Sequence, residues 1–154
     1  MLIDDRNSFS DLRKGVKVLE EAIRVGKKPR YPGDPKQPEF AAAQIKLAGI
    51  YLNKNYDVYN VDLAEQHLRM ALGDIQKRLQ KKYSRKTERD VSTLESIYLN
   101  LGKCALEKKD PENAKDLFVK CIGDQDRDSW YTEEARICLS EVYLNEKDYA
   151  AALK

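Results

Sequence analysis

The chain has 154 residues, 42% of them hydrophobic, enough for one domain with a buried core. Its 28 Lys+Arg against 26 Asp+Glu leave a net charge of only +2, so no global field draws it to nucleic acid or an anionic membrane. No run approaches the roughly 18 apolar residues of a membrane span, Met1 to Ser10 lacks the pattern of a signal peptide, and Cys104, Cys121 and Cys138 show no C-x-x-C spacing, so the expectation is a cytosolic or nuclear protein without disulfides or zinc.

Strong helix formers dominate, and no stretch alternates with the period of two that marks a half-buried strand. A first helix is predicted over about 9–25. Pro29, Pro32, Pro35 and Pro38, with Gly33 among them, then force a linker over 26–37 and a second helix over about 38–53. After the polar stretch "NKNYDVYN", Asp62 is a candidate cap for a helix to about residue 82, with Leu63, Ala64, His67, Leu68, Ala71, Leu72, Ile75 and Leu79 on one face.

The charged stretch 84–90 reads as a connection. Val91, Leu94, Tyr98, Leu101, Ala105 and Leu106 then recur at helical spacing until "KKDPE" breaks the pattern near residue 109. Pro111 suits the first turn of the next helix, because its missing N–H needs no partner there. Ala114, Leu117, Phe118, Cys121 and Ile122 form that helix's core face, and Gly123 is a candidate C-cap. A further helix is expected over 130–145, carrying Ala135, Cys138, Leu139, Val142 and Tyr143, and another begins near Ala150.

The tripeptide Tyr-Leu-Asn occurs at 51–53, 98–100 and 143–145, which invites a search for internal repeats. The order Tyr98-x2-Leu101-Gly102-x2-Ala105, then Ala114-x3-Phe118-x2-Cys121, resembles the tetratricopeptide repeat (TPR). Gly102 and Ala114 are small where two such helices would cross, and Tyr98, Leu101 and Phe118 fill the space beside the crossing. The same template fits Leu47-Ala48-x2-Tyr51 with Ala64-x3-Leu68-x2-Ala71, and Leu139-Ser140-x2-Tyr143 with Ala152. Its second half fits Gly15-x3-Leu19-x2-Ala22.

Departures from the family pattern are specific. Gln44 and Arg136 replace the first aromatic, the closing proline is missing, and the units exceed the standard length of about 34 residues. Aligned on the template, Tyr51 and Tyr143 share one position late in a first helix, whereas Tyr98 opens its unit, so the tripeptide marks two structural roles. The resemblance implies an all-α fold of antiparallel helix pairs stacked in a right-handed TPR-like superhelix, an α-solenoid. It covers residues 1–154 as one domain: a half-repeat helix at 9–25, a repeat at 38–82, a repeat at 91–123 and an incomplete repeat at 130–154. Half units at both ends suggest part of a longer repeat protein whose cut edges self-associate.

TPR proteins bind partner peptides or helices on the concave face formed by the first helix of each pair. Carried onto this sequence, that groove comprises Lys46, Asn53, Asn100, Lys103, Cys138, Glu141 and Asn145, against the alternative of a solvated polar face. Some members instead clamp the acidic tail of heat-shock chaperones with Lys, Asn and Arg side chains. Ile45, Gly49, Glu134 and Cys138 stand where the clamp needs those groups, which argues against chaperone-tail binding.

The run from Gln76 to Arg89 carries Lys77, Arg78, Lys81, Lys82, Arg85, Lys86 and Arg89. It reads either as a nucleic-acid or acidic-partner contact or as a solvated helix end that complements the dipole, and it has few aromatics for base stacking. The proline spacing matches the polyproline II period but lacks the flanking cation of an SH3 ligand, so a semi-rigid linker is the better reading. His67 is the one histidine, and no Ser-His-Asp order, H-E-x-x-H or Gly-rich phosphate loop accompanies it. The expected function is a non-catalytic, cofactor-free protein-interaction scaffold or adaptor within a larger complex. The rivals are a nucleic-acid-associated helical repeat using residues 77–89 and a Sel1-like repeat of a secretion or envelope system.

Overall fold

A computed structural model describes residues 5–26, 39–80, 85–123 and 128–146. Among the described residues the protein is all-helical: α1 (Asp5–Gly26), α2 (Glu39–Tyr51), α3 (Val61–Leu79), α4 (Glu88–Glu107), α5 (Pro111–Ile122) and α6 (Trp130–Asn145). The Pro29–Pro38 linker, Lys81 and Lys82, and the last helix expected near Ala150 lie outside them. The chain divides into two compact units, Met1–Gln80 and Lys81–Lys154.

In the first unit α2 packs against both α1 and α3. Val16 and Ile23 of α1 are buried, as are Leu47, Ala48 and Tyr51 of α2 and Ala64, Leu68, Ala71 and Ile75 of α3. All six residues that fit the repeat template between Leu47 and Ala71 are therefore core. Leu63, expected on the same face, is exposed instead. Asn60, rather than Asp62, caps α3: its side chain accepts the Leu63 N–H at 3.0 Å, and Asp62 lies in the first turn where its charge suits the dipole. Tyr51 donates its hydroxyl to Glu20 of α1 at 2.9 Å, and the Arg13 guanidinium pairs with the carboxylate of Asp57.

In the second unit α4 packs against both α5 and α6, which explains why it is buried over more of its circumference than one amphipathic stripe would give. Ile97, Leu99, Leu101, Gly102, Cys104 and Ala105 are all buried, whereas the expected Val91, Leu94, Tyr98 and Leu106 are half-buried. The helix also starts three residues earlier than the apolar periodicity suggests. Thr87 and Asp90 form a reciprocal capping box, in which Thr87 accepts the Asp90 N–H and Asp90 accepts the Thr87 N–H.

The α4–α5 contact depends on a missing side chain. A Cβ added to Gly102 would stand 2.4 Å from Cε1 of Phe118, so the fully buried ring occupies the space a larger residue would need. Toward the other end of the contact, the Cys121 thiol lies 3.2 Å from the carbonyl oxygen of Glu95. The core of the unit joins Leu99, Ala105, Ala114, Phe118, Cys121, Ala135, Cys138 and Val142. Asp110 caps α5 with Pro111 in the first turn, and Gly123 follows with a φ of +67°, as its expected C-cap role requires.

Candidate functional site

The sequence-derived groove residues fall into separate settings. Lys46 is exposed on α2 of the first unit. Asn53, after α2, spends its side chain on the loop: its Oδ1 accepts the Asn55 N–H at 3.0 Å. Asn100 of α4 donates its side-chain amide to the Ser96 carbonyl of its own helix at 2.8 Å, and Asn145 is exposed at the end of α6.

Within the second unit α4 and α6 do bring several groups together. Lys103 of α4 and Glu134 of α6 form an ion pair at 2.8 Å, and both are partly solvent-accessible. The Lys103 ammonium also lies 6.0 Å from the ring centroid of Trp130, at the edge of cation–π range. Trp130 itself is 63% exposed and meets Tyr131 edge-on at 5.3 Å. Burial pushes the Cys138 thiol up; the Lys103 charge opposes that shift and the carboxylates of Glu134 and Glu141 reinforce it, which places all four groups in one electrostatic neighbourhood.

The local sequence explains why α6 presents this face so firmly. Ser129 and Thr132 form a second capping box, and the Ser129 hydroxyl also donates to Glu95 of α4 at 2.9 Å. A buried carboxylate is thereby satisfied at the positive end of α6, and the helix start is tied to α4. At the far end Lys115 of α5 pairs with Glu146 at 2.9 Å and lies over the Tyr143 ring, and the hydrogen bonds that its ammonium donates to Glu112 and Glu146 raise its pKa.

Sequence reasoning names Glu134 only as a mismatch to the chaperone clamp and does not single out Trp130, the Lys103–Glu134 pair or the Glu95–Ser129 bond. Trp130 carries a signal in hindsight, being the only tryptophan and sitting at a helix start, but the ion pair joins residues far apart in the chain and has no local signature. In the basic run, Lys77 and Arg78 lie in the last turn of α3, where cations complement the dipole. Arg85, Lys86 and Arg89 are exposed in the other unit.

His67 stacks on Tyr51, with ring centroids 5.8 Å apart and planes within 11°. All three cysteines are free and buried. Among the described residues no group of three or more His, Cys, Asp or Glu side chains is placed to hold a metal ion, and no helix is long and apolar enough to cross a membrane. Comparison with known protein families, curated proteins and solved structures finds no match to this chain.

Proposed function

We propose that the protein is a non-catalytic interaction scaffold, a divergent TPR-like helical repeat that holds a peptide or helix of a partner protein. The observation that carries the reading is the α4–α6 face of the second unit, where Trp130 stands exposed beside the Lys103–Glu134 ion pair. Exposed tryptophans and partly desolvated charges are the residue types that dominate protein–protein binding energy. The apolar ring supplies affinity there, and the flanking charges of Lys103, Glu134 and Glu141 orient the ligand.

Contact register supports antiparallel pairing. Gly102, in the second half of α4, meets Phe118, while Glu95, nearer the start of α4, meets Cys121, closer to the end of α5. Burial of Leu47, Ala48, Tyr51, Ala64, Leu68 and Ala71, and of Leu101, Gly102, Ala105, Ala114, Phe118 and Cys121, is what two TPR-like pairs would require. The working context is a subunit or adaptor of a larger assembly in the cytosol or nucleus.

The experiment is affinity capture with the wild-type protein and with Trp130→Ala and Lys103→Glu, followed by quantitative mass spectrometry. Specific proteins should be retained by the wild type and reduced about tenfold or more by either variant, the effect of losing roughly 1.4 kcal/mol or more at a hot spot. Equal recovery by all three proteins would remove the α4–α6 face from the account.

A further inference from the structure

We infer that the partner segment held at the α4–α6 face carries an arginine, whose guanidinium stacks on the open ring of Trp130 among the carboxylates of α6. The inference rests on the scaffold reading above and adds the chemistry of what is bound. Trp130 is 63% exposed, so most of its ring meets solvent, and the Lys103 ammonium at 6.0 Å reaches only the edge of its cation–π range. That ammonium is already held by Glu134 at 2.8 Å. An indole face is the best aromatic seat for a cation, and a planar guanidinium takes it more often than an ammonium does.

The uncompensated charge around the ring is negative. Asp128, just before α6, and Glu133 and Glu141 on it are exposed, and among the described residues no ion pair engages any of the three. Trp130, Glu134 and Glu141 share one side of the helix, and Glu133 stands one turn from the ring on its other flank. From Asp124 to Glu134 the sequence carries five carboxylates and one guanidinium, a net of −4, in a chain whose net charge is +2. Compensation of the helix dipole accounts for Glu133 in the first turn. It does not account for Glu141, which lies in the half of α6 where a carboxylate opposes the dipole.

Arginine is the side chain that uses both features at once. Its plane lies on the ring while its forked N–H groups donate to a neighbouring carboxylate, a geometry that the single ammonium of lysine lacks. Lys103, with three donors, serves Glu134 and a backbone carbonyl of the same segment, which is how it orients the ligand. An acidic segment would instead bring its charge against Asp128, Glu133 and Glu141, with only a cation that Glu134 has already neutralised to receive it.

Trp130 is the only tryptophan, so fluorescence excited beyond the tyrosine absorption reports this ring alone. The full chain is titrated with three capped peptides that differ only in two side chains, both arginine, both lysine or both glutamate. The arginine peptide should give a saturable change in emission with a Kd of about 0.1–1 mM, the lysine peptide should bind about threefold or more weakly, and the glutamate peptide should leave the emission unchanged. Glu133→Gln combined with Glu141→Gln should weaken the arginine peptide about fivefold or more, whereas Asp116→Asn, at an exposed position on α5, should not. All three side chains are exposed, and circular dichroism melts should match the parent, separating loss of contact from loss of fold. No response to the arginine peptide, equal binding of the lysine or glutamate peptide, or affinity untouched by the double change would each overturn the inference. If the Trp130-dependent capture described above persists, those outcomes leave the scaffold reading standing; loss of that capture removes the face itself.

Discussion

Two residues govern the second unit's core through opposite devices, one by its chemistry and one by its absence of bulk. Burial, aided by the Glu95 charge, pushes the Cys121 thiol up to about 12 from 9.0. The unfolded chain then releases this proton first, so the contribution to stability is complete below pH 9.0 and is lost as pH rises toward about 12. Tyr51 adds a second alkaline loss between 10.0 and about 12, raised by burial and then by its bond to Glu20. Chemical denaturation between pH 8 and 11 should show stability falling with pH, and Cys121→Ala should flatten the part that begins near 9.0; an unchanged slope in the variant would contradict the assignment. Gly102→Ala would improve helix propensity by up to about 1 kcal/mol, yet the clash with Phe118 should win and leave a net loss of about 1–3 kcal/mol. Phe118→Ala should cost about 3–5 kcal/mol, and Gly102→Ala combined with Phe118→Leu should cost less than the sum of the two single changes, measured as a double-mutant cycle in urea.

At the level of elements, helix ends carry both the successes of sequence reading and its errors. α5 starts and stops where Pro111 and Gly123 say it should, because each residue has one conformational role that a sequence displays directly. α4 and α3 start earlier than expected, since Thr87 and Asn60 are ordinary polar residues until their side chains meet a backbone N–H. The candidate site was less legible than the fold: Lys103 could be placed on an outer helix face from periodicity, but its partner Glu134 depends on how α4 and α6 pack. The end of α4 holds a further feature. Asp110 N–H donates to the Ala105 carbonyl and Lys109 N–H to that of Leu106, at 2.9 Å each, a Schellman closure that places Lys109 at a φ of 60°. Lysine bears a steric cost there that glycine avoids, so Lys109→Gly should raise stability by up to about 1 kcal/mol in thermal or urea unfolding, whereas the same change at exposed Lys120 inside α5 should lower it by a similar amount.

For the whole molecule, the two units share one organising device: a middle helix packed on both sides, α2 between α1 and α3, and α5 between α4 and α6. Each unit also leaves a surface that its own helices do not cover, the Val18 strip on α1 and the Trp130 and Ile137 surface on α6. Paired helices with faces left open toward partners are the physical basis for reading the protein as a scaffold. Site-specific photo-crosslinking in cells tests that claim most directly, with the crosslinker placed at Glu141 beside the α4–α6 face and, as a control, at exposed Val119 on α5. The account predicts a discrete adduct with a protein other than this chain from position 141, lost on Trp130→Ala and missing from position 119. No adduct from position 141, or the same adducts from both positions, would contradict it.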